Sequence, residues 1–285
     1  MKKAFTQLHI AILLAGFTGV FGKLILLNEG LLTWYRLFLS GSLFWLLLAL
    51  TGRLRKISII DFLKTGGAGL LLALHWLFFY GSIKYSNVSV GVICFSLTAF
   101  FTALLEPVIN KKNISLTALL LSGISLCGVA LIFHFDSSYR TGILLGVISS
   151  VIVSLFTIAN ERLTGQYDTQ TLTLYEMLGG CLGLSCIMPL YLYIFPVDSL
   201  LPSLTDTFYL LLLSVFCTII MYMLINRSLR RISAFSVNLS FNLEPIYSII
   251  LAVFLFKENR EFTPAFYAGL ALIVLSVILT TLKRQ

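Results

Sequence analysis

The chain has 285 residues, of which 58% are hydrophobic and only 11% charged, with a formal net charge of +8. Soluble chains carry roughly 25% charged residues, so too few are present to coat a water-soluble fold. A soluble enzyme, a disordered protein and a secreted disulfide scaffold are excluded, and a polytopic membrane protein is indicated. The basic residues sit at the ends of apolar runs rather than in one patch, which argues against a nucleic-acid partner. The five cysteines (Cys94, Cys127, Cys181, Cys186 and Cys217) all lie inside apolar runs with no CxxC or Cys/His spacing. They read as small buried hydrophobes, not bridges or metal ligands.

A membrane-crossing helix needs about 20 apolar residues. Apolar runs of that kind are read in chain order at 8–27, 31–51, 66–84, 88–110, 115–134, 141–162, 170–195, 206–226, 233–256 and 262–282. The first is too long for a signal-peptide core and is read as a span rather than a cleaved leader. The eighth and ninth are divided by Arg227, Arg230 and Arg231. With the N-terminus inside, 14 of the 20 Lys and Arg fall in inside segments and four outside, while Lys23 and Arg36 lie in or at the edge of spans. The bias places both termini in the cytoplasm. The expected architecture is an all-α integral membrane fold of ten transmembrane helices.

The chain also matches itself. Leu32-Thr33-Trp34-Tyr35-Arg36-Leu37 resembles Leu172-Thr173-Leu174-Tyr175-Glu176-Met177 at an offset of 140, and Val88-Ser89-Val90 resembles Phe235-Ser236-Val237. The expected halves are 1–137 and 138–285. Five spans per half is an odd number, so the second half should be inverted relative to the first, as in many secondary transporters.

Several segments carry a family resemblance: Trp34-Tyr35-Arg36-Leu37-Phe38-Leu39, Ile83-Lys84-Tyr85-Ser86-Asn87, Asn242-Leu243-Glu244-Pro245 through Lys257-Glu258, and Gly269 to Leu279. In order and spacing they resemble the EamA family of the drug/metabolite transporter superfamily. The resemblance implies a carrier of amino acids or other small metabolites, commonly moving them outward. One departure is that Thr98 stands where the family often has a proline equivalent to Pro245.

Charged side chains deep in a span are costly and mark cavities or partners. Glu244 lies near the middle of span 9, on a polar face with Ser236 and Ser240, beside a stripe of Asn238 and Asn242, and next to the helix-bending Pro245. His75 lies at similar depth in span 3, with Trp76 and Tyr80 on adjacent faces. These eight polar and aromatic residues are the expected cavity lining, Glu244 and His75 the candidates for proton coupling, and aromatic faces the sites for an amine. Trp34 and Tyr35 lie near a span end, where an interfacial belt competes with cavity lining. Arg36 and Glu176 are repeat equivalents expected near opposite faces of the membrane. Glu29 is the expected ion-pair partner of Arg36, and Arg162 that of Glu176, in structural or gating roles, with Arg36 alternatively holding a substrate carboxylate. Small-residue stripes in spans 1 and 6 read as helix-packing seams. Spans 1–4 and 6–9 should surround the cavity, with spans 5 and 10 peripheral.

No phosphate-binding loop, HExxH or GxSxG motif occurs, and no cofactor or metal is expected. The expected partners are a small-molecule substrate and the lipid bilayer, with monomer and homodimer both open. A lipid- or isoprenoid-handling flippase is the alternative reading. An intramembrane enzyme would have only His75 and Glu244 as an acid–base pair.

Overall fold

The computed structural model describes residues 2–111, 113–134, 139–257 and 262–282. Lys112, Glu258, Arg260, Lys283, Arg284 and the expected boundary at 137/138 lie outside the described residues. The described chain forms ten helical rods: α1 (Lys2–Leu24), α2 (Glu29–Leu50), α3 (Ile59–Lys84), α4 (Val88–Asn110), α5 (Leu116–His134), α6 (Arg140–Thr164), α7 (Thr169–Ile194), α8 (Leu204–Leu229), α9 (Ala234–Phe256) and α10 (Pro264–Leu282). Each matches one expected run to within a few residues, except that α1 and α3 begin earlier, at Lys2 and Ile59. By length and composition eight of them are fit to cross a membrane; α5 and α10 contain shorter apolar stretches.

The pattern of burial is inverted from that of a soluble protein. Large apolar side chains are exposed around the outside, among them Leu50, Leu190, Phe254 and Tyr267, while Arg36, Glu176, Asn160 and Asn226 are completely buried. Lipid rewards the first and forces the second to find partners inside the bundle. The chain is a multi-pass membrane protein.

The helix starts are set by polar caps in two matching series. Asn28 caps α2 and Asp168 caps α7; Ser58 caps α3 and Ser203 caps α8; Asn87 caps α4 and Ser233 caps α9, each accepting a first-turn backbone N–H. Such caps satisfy donors that a helix start leaves open. The matching ends of α4 and α9 are closed by Lys111 and Lys257, both in the left-handed conformation with φ 51 and 58. The contacts between rods follow the same correspondence. If each rod is exchanged for the one five further along the chain, α3–α6 becomes α8–α1, α3–α7 becomes α8–α2, and α4–α6 becomes α9–α1; all six are packed pairs. α2–α7, α4–α9 and α5–α10 map onto themselves and are also packed.

α3 and α7 cross with their backbones almost touching. A Cβ on Gly69 would lie 1.9 Å from the Glu176 carbonyl oxygen, and one on Gly179 2.1 Å from Gly66 Cα. Only glycine permits this approach, which fixes α7 against the middle of α3.

Three rods are irregular where they face the centre. In α9 a 3-10 turn at Phe241–Leu243 precedes Pro245, and the Phe241 carbonyl accepts from Glu244 N–H because proline has none to offer. α4 has the equivalent interruption without a proline: Ser96 and Leu97 donate to Ile93 and Cys94, three residues back, and Thr98 Oγ1 donates to the Phe95 carbonyl. The absence of a proline at Thr98 therefore does not straighten α4. α8 carries a π segment at Val215–Ile220.

Candidate substrate cavity

The interruptions of α4 and α9 reach a central cavity of about 50 Å³ through Phe95, Phe241 and Glu244, and Met221, just after the π segment of α8, lines it too; it has room for a few waters. It is lined from α1, α2, α3, α4, α6, α8 and α9, and no described residue of α5 or α10 reaches it. The expectation that α7 also lines it is not met; α7 stands behind α3 and α2.

Arg36, fully buried, forms one wall. Its Nε donates to Thr218 Oγ1 at 2.8 Å, Nη1 to Tyr80 Oη at 2.7 Å and Nη2 to the Cys217 carbonyl at 2.6 Å. Its guanidinium lies 3.5 Å over the centre of the Trp76 ring. The π segment of α8 provides two of these acceptors. There Met221 N–H bonds the Phe216 and Thr218 carbonyls, and the intervening Cys217 carbonyl accepts from Arg36. A planar fork with fixed donors meets this arrangement where a lysine would not. A guanidinium has five N–H groups, and these bonds use three.

Glu244 lines the same cavity, only 4% exposed, and no hydrogen bond from any described residue reaches its carboxyl group. Its place at the start of the second segment of α9 follows from the 3-10 turn. Arg36 and Glu244 thus share a cavity without bonding to each other.

His75 is held by α6: Nδ1 lies 2.7 Å from Ser149 Oγ and 3.2 Å from the Ser149 carbonyl, while Ser149 Oγ donates to the His75 carbonyl at 2.9 Å. The two Ser149 oxygens beside Nδ1 suit a proton on that nitrogen, the tautomer that leaves Nε2 as the acceptor. Trp76, Phe79, Phe95, Phe156, Tyr222 and Phe241 supply the apolar wall, and Asn238, whose Nδ2 donates to Thr102 Oγ1 at 2.7 Å, its remaining amide.

Of the eight residues expected to line the cavity, His75, Trp76, Asn238 and Glu244 do. Tyr80 is one layer behind, holding Arg36. Ser236 and Ser240 bond within α9, and Asn242 points to α5, its Nδ2 3.4 Å from Ser125 Oγ. Their shared helical face spans more azimuth than the cavity covers. Trp34 bonds Ser185 on α7 and Tyr35 the Leu200 carbonyl, away from the cavity.

Both expected ion pairs are corrected. Glu29 accepts from Tyr191 Oη at 2.8 Å and does not meet Arg36. Arg162 donates to Asn110 and to the Ile109 carbonyl, and does not meet Glu176. Glu176 lies instead among amides. Asn226 Nδ2 donates to its Oε2 at 3.1 Å and to Thr173 Oγ1 at 3.0 Å, and Asn160 Nδ2 donates to Asn226 Oδ1 at 2.7 Å.

Both ends of the bundle carry polar ties between helices and turns. At the end holding the α1–α2 turn, Lys84 donates to the Ile25 carbonyl at 2.8 Å and Leu26 N–H to Asp206 at 2.8 Å. At the opposite end the equivalent elements make equivalent ties. Arg230 donates to the Tyr167 carbonyl at 2.6 Å and Tyr167 Oη to Asp61 at 2.6 Å, and Arg55 pairs with Asp168 at 3.2 Å.

Both halves of the chain, residues 3–134 and 140–282, match the model of the EamA-like transporter family, and the chain belongs to that family. An uncharacterized transporter of Archaeoglobus fulgidus is 25% identical over 234 residues, which cover 79% of this chain and 76% of that one. A solved crystal structure shares the fold, with a TM-score of 0.71 at 19% identity over 99% of this chain and 97% of that chain. The family and the relative's name point to transport, and the protein is a membrane transporter.

Proposed function

We propose that the protein is a secondary transporter that exports amino acids or similar small metabolites by alternating access between two inverted five-helix halves. Ten membrane spans, a bacterial inner-membrane location and cytoplasmic termini complete the reading. The observation that carries it is the central cavity in which Arg36 and the unbonded Glu244 sit between interrupted helices. Broken helices at a repeat interface are where secondary transporters bind substrate. The duplicated caps and exchangeable packing pairs support the inverted repeat.

A cavity of about 50 Å³ is small for a metabolite, so on this reading substrate enters when one set of end ties opens. Arg36, with N–H groups to spare, suits a substrate carboxylate. Glu244 and His75 Nε2 suit its ammonium, and Glu244 also suits a proton in exchange for it.

Counterflow in proteoliposomes tests the reading: vesicles loaded with unlabelled amino acids transiently accumulate trace label supplied outside, and empty vesicles do not. Glu244→Gln is expected to abolish flux or its pH dependence. If both persist in that variant, Glu244 is not the coupling group. Failure of every amino-acid pool in folded, inserted protein removes the amino-acid reading.

A further inference from the structure

The amide cluster around Glu176 is a second polar centre, outside the cavity. Glu176, Asn160, Asn226 and Thr173 are all completely buried. Both Asn226 Nδ2 hydrogens are spent, on Glu176 Oε2 and Thr173 Oγ1. Two acceptors remain with no donor: Glu176 Oε1 and Asn160 Oδ1. A carboxylate answered only by the Asn226 and Asn160 amides, with no cation, would be a severe cost at this depth. Nothing charged answers it among the described residues. On α2, Arg36 is committed to Tyr80, Thr218 and Cys217. His75 of α3 is tied to Ser149, and Arg162 of α6 to Ile109 and Asn110. Of the titratable groups on α7 and α8, Tyr175 bonds the Arg55 carbonyl, Tyr222 packs on Trp76 and Phe156, and Arg227 is exposed. The Gly69 contact against the Glu176 backbone leaves no slack for rearrangement.

We propose that Glu176 is a proton-binding site, its carboxyl group protonated on Oε1 in this conformation and donating within the cluster, where Asn160 Oδ1 is the open acceptor. One hydrogen then removes the buried charge and supplies the missing donor. Because Asn160, Glu176 and Asn226 join α6, α7 and α8, loss of that proton would loosen three helices at once. The site is separate from Glu244, and the proposal does not depend on which solute is carried.

Infrared spectroscopy of the purified full-length protein tests it without reference to flux. The C=O band of a buried protonated carboxyl group is expected in the wild type and in Glu244→Gln, and a component of it is expected to vanish in Glu176→Gln. The amide in that variant supplies an N–H where the acid supplied an O–H, so its thermal stability at neutral pH should equal the wild type's. Asn160→Val, which removes the acceptor, should move the same component to higher frequency. Identical spectra for wild type and Glu176→Gln, or an unmoved band in Asn160→Val, would overturn the assignment. So would thermal stabilisation by sodium over choline that Glu176→Gln abolishes, which would make the cluster a metal-cation site.

Discussion

Arg36→Lys should cost far more than its conserved charge suggests. The guanidinium fork ties α2 to Tyr80 on α3 and to Cys217 and Thr218 on α8, and stacks on Trp76. A lysine ammonium, a single point, can keep about one of the three bonds. Interhelical hydrogen bonds in membranes are worth about 0.6 to 1.7 kcal/mol each, and a desolvated cation–π contact about 2 kcal/mol. Losing two bonds and the stacking removes about 3 to 5 kcal/mol. Tyr80→Phe removes one bond and should cost about 1 kcal/mol. Unfolding in mixed detergent and dodecyl sulfate, followed by far-ultraviolet circular dichroism, measures both. A lysine variant as stable as the wild type, or no worse than Tyr80→Phe, would show that the fork does not hold α2, α3 and α8 together.

Gly69→Ala should sharply lower the yield of folded protein, since its Cβ would meet the Glu176 carbonyl oxygen at 1.9 Å, whereas Gly67→Ala, with nothing within 4 Å, should be neutral; size-exclusion profiles of the two separate the cases. At the α6–α7 turn, partial burial disfavours the Asp168 charge, but the Thr171 hydroxyl and backbone N–H and the Arg55 guanidinium outweigh it and hold the carboxyl below its usual value of 3.8. Its contribution is therefore complete above that value and lost as pH falls through the lower, folded-state one. Acid melting curves should show this loss in the wild type and not in Asp168→Asn. Breaking the ties at one end should bias the carrier to open there: Asp206→Asn at the α1–α2 end, and Asp61→Asn with Tyr167→Phe at the other. A thiol reagent acting on Val237→Cys in the cavity should then label faster from the loosened side, and equal rates in all variants would refute a gating role for these ties.

The rods were legible in the sequence because apolar runs and their bounding caps are local signals. Charge inside an apolar run singled out Arg36, His75, Glu176 and Glu244, although Arg36, expected near one face and away from the midplane Glu244, lines the same cavity as that residue. Azimuth and partner were not legible. Arg36 finds Cys217 and Thr218 at separations of 181 and 182 residues, through a π segment that has no marker in Val215–Ile220. Pairing charge with nearby charge led to Glu29 and Arg162, yet Glu176 settles among Asn160, Asn226 and Thr173. In α4, Thr98 stands where a proline would announce a bend, and the tight turn forms nonetheless through its hydroxyl.

The central proposal is that one cavity is exposed to the two sides of the membrane in turn. The most direct test is labelling of Val237→Cys, in a background without the native cysteines and with oriented proteoliposomes, by a membrane-impermeant thiol reagent from each side. Reaction from both sides, suppressed by the transported solute and without leakage of the vesicles, is the expected result. Reaction from one side alone, or vesicles that leak while labelling proceeds from both, would contradict alternating access.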